Sequence, residues 1–223
     1  REAIFIKPNL DIPYSNLNIC LNYVPELSKK YIYDQHLQFE KQFNKSKIKT
    51  SLSFPVKKLS NQKLRIGYVS GDFREGSIAY FFETLLRHHN NSTIESFCYY
   101  NDFIVDETTK RLIKFSNNWR PIFNLSDKDV IRLIKNDKID ILVDLSGHTA
   151  KNRLLVFTYK PAPIQVTWLG YPNTTGLSSI DYRFTDIVAD PIGDSDDFHS
   201  EILFRLPNFF LCYTGDSTIN FNR

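Results

Sequence analysis

Residues 139–176 read IDILVDLSGHTAKNRLLVFTYKPAPIQVTWLGYPNTTG, and this stretch decides the fold. Ile139 to Leu145 is an apolar run interrupted by aspartates, with the length of a buried strand. Arg153 to Tyr159 reads as a short helix, and Ile164 to Leu169 as a second strong strand. Strand, helix and strand in so short a space make a crossover unit, which sets its two strands side by side and parallel. The same alternation runs outward toward the amino terminus. Leu64 to Ser70 reads as strand, Ser77 to His89 as helix and Ser96 to Tyr100 as strand. Thr108 to Phe115 reads as helix, Pro121 to Phe123 as a short strand, and Asp127 to Asn136 as a helix capped by Ser126. The expected class is therefore α/β: a Rossmann-like, doubly wound parallel sheet with helices on both faces.

Ahead of Leu64 the pattern is different. Ser15 to Val24 and Ser28 to Phe43 read as two helices forming a hairpin, with Ile32, His36, Phe39 and Phe43 on one face and Pro25 in the connection. Asn44 to Lys63 has little periodicity and many lysines without an acidic residue, which marks a solvated linker rather than a nucleic-acid surface. The expected organisation is a helical segment at 1–43, a linker at 44–63 and the Rossmann-like lobe at 64–223. Apolar residues make up 42% and charged residues 24% of the chain, a composition that excludes fibrous and disordered classes. No run approaches the ~20 apolar residues of a membrane helix. The first nine residues lack the apolar core of a signal peptide. Cys20, Cys98 and Cys212 have no metal-ligand spacing and suit reduced thiols in a cytoplasmic protein. The sequons at Asn91, Asn124 and Asn173 are then chance matches. The sequence holds no methionine, so it is expected to be a fragment.

In a doubly wound sheet, ligands bind outside the carboxyl ends of the strands. Three loops there combine glycine with hydroxyls or ionisable groups, the composition of a polyol or phosphate site. They are Ser70 to Ser77, Ser146 to Ala150, and Gly170 to Gly176. A histidine at a strand end, such as His148, is either satisfied by a local bond or poised for proton transfer. The third loop is long for a turn of its kind, with Tyr171, Pro172, Asn173, Thr174 and Thr175 between two glycines. Asp194 and Asp196 have an Asp-x-Asp spacing that suits a divalent cation, but an acidic loop explains them as well. His88 and His89 suit a helix carboxyl end. No GxxxxGK[ST] or GxGxxG is present, which argues against an autonomous NTPase or dinucleotide enzyme.

The run from Lys160 to Gly176 closely resembles the RPAPIQ-x-x-WLGYP-x-T-[ST]-G signature of the O-GlcNAc transferase and Spindly family. Leu64 to Ser70 with Asp72-Phe73, and Ile141 to Thr149, resemble two further strand-and-loop segments of that family. Tyr14-Ser15-Asn16-Leu17 with Leu21-Asn22-Tyr23 is similar to the end of its tetratricopeptide array. The resemblance implies one lobe of a GT-B glycosyltransferase, an enzyme that uses no metal or cofactor. It would move a sugar from a nucleotide sugar, UDP-GlcNAc being the expected donor, to Ser or Thr of protein or peptide acceptors. The location implied is cytoplasmic, and nuclear too in a eukaryote, with no nucleic-acid or membrane partner. The donor nucleotide would be held mainly by a carboxy-terminal lobe, so the fragment alone is expected to be inactive. Gly170 and Pro172 would lie near the sugar and diphosphate, and Thr149 would face sugar or acceptor. With Tyr171 and Thr174 they form the expected substrate-binding set. His148 stands where animal members have tyrosine, and chemistry makes it the expected catalytic residue. Family members carry histidine where this chain has Gly76, so that loop has lost a contact or handed it to Glu75, Ser77 or His148. A Spindly-like protein O-fucosyltransferase and a noncatalytic peptide-binding module with a degenerate lobe are the competing readings.

Overall fold

The computed structural model describes residues 1–44 and 62–215, so most of the expected linker lies outside the described residues. Three helices come first: α1 (Glu2–Ile6), α2 (Ile12–Leu21) and α3 (Lys29–Phe43). The sequence places the start of α2 at Ser15, three residues late. Pro13 sits in the first turn, where its missing N–H costs nothing, so the helix begins ahead of it. Ser28 caps α3 by accepting the Tyr31 N–H at 3.2 Å, as its position suggests.

Beyond residue 62 the chain alternates β1 (Leu64–Ser70), α4 (Ser77–Arg87), β2 (Ile94–Tyr100), α5 (Glu107–Phe115), β3 (Asn118–Pro121), α6 (Asp127–Asn136), β4 (Ile141–Asp144), α7 (Leu154–Thr158) and β5 (Ile164–Thr167). Two more strands follow, β6 (Tyr182–Asp186) and β7 (Ile202–Leu206). All neighbouring strands pair in parallel, in the order β3-β2-β1-β4-β5-β6-β7. The order reverses between β1 and β4, so the crevice where such sheets take ligands opens between their carboxyl ends.

Strand side chains alternate between two cores. Val69, Phe97, Tyr99 and Leu142 face one side, under α6, α7 and α3. Tyr68, Cys98, Tyr100 and Val143 face the other, under α4 and α5. Phe39 of α3 is fully buried in the first of these cores, so the helical hairpin is packed onto the sheet. Strand β3 lies three residues earlier than the Pro121–Phe123 expectation. Trp119 supplies the reason: its ring packs against Phe73 and Tyr100 and draws Asn118–Pro121 into the sheet. No helix among the described residues is long and apolar enough to cross a membrane.

Candidate active site

Asp144 ends β4 and organises the turn that follows. It is a fully buried carboxylate that accepts the N–H of Ser146 at 3.1 Å, the N–H of Gly147 at 2.9 Å and the Thr167 hydroxyl at 2.8 Å. Burial pushes its pKa up to about 6, against the pull of those three donors. The chain then turns at Gly147, whose φ of 52° favours glycine. A β-carbon there would stand 2.2 Å from the Tyr171 β-carbon, so the loops after β4 and β5 are in direct contact. At Gly170 a β-carbon would meet the Leu145 carbonyl oxygen at 1.8 Å, a second point where only glycine fits. Between them Leu169 holds φ 72°, with the Gly170 N–H donating to the Trp168 carbonyl at 2.9 Å. A left-handed leucine in a three-residue turn stores strain on the order of 1–2 kcal/mol, and such strain concentrates at functional sites.

The Gly170–Gly176 loop is anchored from below. Glu201, buried, accepts the Thr174 hydroxyl at 2.7 Å, the Thr175 N–H at 2.8 Å, and the Thr175 hydroxyl. Arg183, also buried, donates to the carbonyls of Tyr171 at 2.8 Å and Asn173 at 3.2 Å. Of the expected substrate-binding set, Tyr171 and Thr174 are therefore buried supports. Pro172 is exposed, and Gly170 and Thr149 are half-exposed at the same rim. The Thr149 hydroxyl donates to the Ser146 carbonyl at 2.7 Å, which closes its own turn.

His148 departs from its expected role. It is 1% exposed, ringed by His36, Phe39 and Tyr171 at centroid distances of 5.0 to 5.3 Å. Its Nε2 lies 2.9 Å from the Thr175 carbonyl, which can only accept, and 3.2 Å from the Asn18 side-chain amide; with that amide turned to present its oxygen, Nε2 carries the proton. The Nδ1 then accepts from the Ser15 hydroxyl at 3.1 Å. Burial, then the neighbouring His36, press its pKa down to about 3. A neutral imidazole with both nitrogens engaged and no path to solvent positions the loop. In this geometry its nitrogens face Ser15, Asn18 and Thr175 rather than the rim. Local sequence offered no sign of this, because Ser15 lies 133 positions away.

The loop after β2, which the sequence reading passed over, brings in the charged part of the rim. Asp102 is 3% exposed, pairs with Lys151 of the β4 loop and lies 3.3 Å from Arg74 Nε of the β1 loop. Burial alone would raise its pKa, but the Lys151 hydrogen bond and the Phe103 N–H at 2.7 Å hold it below the usual value. Asn101 adds a bond to the Lys151 carbonyl at 2.8 Å and accepts from Arg153 at 3.0 Å. Loops from β1, β2, β4 and β5 thus meet at one edge. A polar pair directly after a strand, Asn101-Asp102, was the available signal. Asp194 and Asp196 lie elsewhere, in ion pairs with Lys29 at 2.6 Å and Arg205 at 2.9 Å. His88 bonds its own helix at the Thr84 carbonyl, 2.8 Å away, which is a capping contact.

Residues 24–222 match the family model described as Glycosyl transferase family 41. A rice protein (Oryza sativa subsp. japonica) named probable UDP-N-acetylglucosamine--peptide N-acetylglucosaminyltransferase SPINDLY is 43% identical over 218 residues, covering 96% of this chain and 23% of its own length. The Caenorhabditis elegans UDP-N-acetylglucosamine--peptide N-acetylglucosaminyltransferase is 34% identical over 156 residues, covering 68% of this chain and 13% of its own. A solved mutant of the Thermobaculum terrenum O-GlcNAc transferase superposes with a TM-score of 0.88 at 35% identity, over 94% of this chain and 40% of that one. The chain spans about a fifth of the length of the plant relatives it matches.

Proposed function

The chain belongs to glycosyl transferase family 41, and on that premise we propose that it is the amino-terminal lobe of a GT-B protein O-glycosyltransferase. The reaction assigned is attack by a Ser or Thr hydroxyl on the anomeric carbon of a nucleotide sugar, UDP-GlcNAc first among the donors. The new C–O bond forms as the bond to the diphosphate breaks, with inversion at that carbon; the hydroxyl proton is released to water and the nucleoside diphosphate leaves. The observation that carries this reading is the convergence of the loops after β1, β4 and β5 at the switch point, with Pro172 exposed and Gly170 half-exposed. Glycine at that edge lets backbone approach a sugar closely. The strained Leu169 turn, the Asp144 bonds and the Glu201 clamp fix the backbone ahead of binding, so little reorganisation accompanies the reaction.

Thr149, Gly170 and Pro172 serve as the sugar-side contacts, with Tyr171, Thr174 and His148 as the supports beneath them. The nucleotide is held mainly by a second lobe, α2 and α3 close a tetratricopeptide-like array, and protein acceptors approach from that side. A cytoplasmic setting agrees with three free cysteines. Gly76 favours one rival, a noncatalytic binding module: the imidazole that family members carry there is absent, and a β-carbon at that position would stand 3.9 Å from the Arg74 carbonyl oxygen.

Mass spectrometry of a serine- and threonine-containing peptide, incubated with the full-length protein and either UDP-GlcNAc or GDP-fucose, separates the readings. The proposal expects an added N-acetylhexosamine. An added deoxyhexose assigns a fucosyltransferase, and neither transfer nor donor hydrolysis at any protein concentration assigns a binding module.

A further inference from the structure

The helical layer is joined to the Gly170–Gly176 loop by a chain of hydrogen bonds with one direction throughout. Asn173 Nδ2 donates to Asn22 Oδ1 at 2.8 Å, and Asn22 Nδ2 donates to the Tyr171 hydroxyl at 2.9 Å. The Tyr171 hydroxyl lies 2.7 Å from His36 Nε2, and His36 Nδ1 lies 2.8 Å from the Ile32 carbonyl. A carbonyl only accepts, so Nδ1 holds the imidazole proton and Nε2 receives the phenol proton. The other N–H of Asn22 donates to the Asn18 carbonyl at 2.9 Å, which fixes the orientation of its amide. His36 is fully buried and Tyr171 is 3% exposed, so water does not compete for these bonds.

Gly170 and Pro172, at the rim, make no side-chain hydrogen bonds of their own. Gly170 has no side chain, and Pro172 has neither a polar side-chain atom nor an N–H to donate. Both flank Tyr171, and among the described residues its hydroxyl bonds Asn22 of the α2 carboxyl cap and His36 of α3. A lost hydrogen bond that strands a buried partner leaves a desolvated polar group uncompensated, which lets a short turn sample other conformations.

We infer that Asn22 and His36, on helices outside the sheet, are positioning residues for the sugar-transfer loop and act through Tyr171. The inference rests on the transferase reading, and it makes the helical layer part of the catalytic framework. Whatever displaces α2 or α3 displaces Gly170 and Pro172.

The test uses the full-length protein with His36→Phe, which keeps a ring but cannot accept the phenol proton, Tyr171→Phe, the double variant, and His36→Gln. The glutamine oxygen can replace Nε2 as acceptor. Three quantities are measured for each: kcat and KM for the donor, the melting temperature, and backbone amide exchange over residues 170–177. Each single Phe variant is expected to lower kcat about tenfold with KM moved less than about twofold, the pattern of a misplaced rather than a missing contact. The double variant should fall no further than the worse single one, because both break the same link. His36→Gln should recover most of the rate. Exchange over 170–177 should quicken while β1 and β2 keep their rates. Unchanged exchange over 170–177 in both single variants overturns the inference whatever activity does. Quickened exchange with kcat per folded molecule intact also overturns it. A wild-type protein that transfers no sugar refutes the transferase reading instead. The exchange arm then stands alone: quickening supports the tie between helices and loop, and no change overturns it. If His36→Phe does not fold, Tyr171→Phe, which removes one oxygen atom, carries the same test.

Discussion

Acidification should destabilise this lobe through its two buried imidazoles, with a sign and size that the structure sets. His36 and His148 have folded-state pKa values pressed from 6.5 down to about 4 and about 3. Burial is the main cause in both; at His36 the Ile32 carbonyl and Glu201 oppose it and His199 adds to it. Between pH 6.5 and those values the unfolded chain binds protons that the folded chain refuses, so stability falls as pH falls. From pH 7 to pH 5 each imidazole costs about 2 kcal/mol by this linkage. Asp144 acts with the opposite sign. Its folded pKa is raised to about 6, so the folded state takes up a proton first as pH falls. Over the same interval that returns about 1 kcal/mol, which leaves a net loss of about 2–3 kcal/mol from the three groups. Urea unfolding at a series of pH values reads the slope, and His148→Gln isolates one imidazole from every other titrating group. The variant's stability should change by about 2 kcal/mol less than the wild type's between pH 7 and pH 5, whatever its stability at neutral pH. Equal pH dependence in both proteins would mean that His148 does not contribute this linkage. His36 or His148 imidazole resonances of the folded protein that titrate near pH 6.5 would refute the reasoning.

Three more outcomes follow from close packing. Gly147→Ala forces a β-carbon into the Tyr171 side chain at a left-handed position, and should cost about 2–4 kcal/mol in chemical denaturation. Phe39→Ala opens a cavity between α3 and the sheet and should cost about 3–5 kcal/mol, a loss that would be near zero if the helical hairpin were only tethered. Cys20, exposed, should react with a thiol reagent within minutes, whereas Cys98, fully buried with its thiol pKa pushed up by desolvation, should react only as the lobe unfolds.

The parts of the fold legible in the sequence are those where one rule dominates. β1, β4 and β5 are apolar runs in the buried middle of a parallel sheet, and α3 and α6 carry Ser caps with clear periodicity. Strand β6 escaped notice because its buried positions include Arg183, Thr185 and Asp186. Those side chains are satisfied by Asp190, by the Tyr171 carbonyl and by the Phe210 N–H, partners that only the folded chain supplies. At the site, the loops were readable as glycine-rich strand ends, and their meeting follows from topology. Which of their residues face outward was not readable. His148 and Tyr171 look like chemistry in one dimension, and both are turned inward by Ser15, Asn22 and His36, which lie far away in sequence.

The position of the bound sugar is the decisive observable. A nucleotide-sugar analogue with a photoreactive group on the sugar, irradiated in complex with the full-length protein, reports this directly once the labelled peptides are sequenced. Label within 147–151 and 170–173 is the expected result. Label confined to the opposite edge of the sheet, around Lys63, Arg65 and Lys138, with the carboxyl-edge loops untouched, would contradict it.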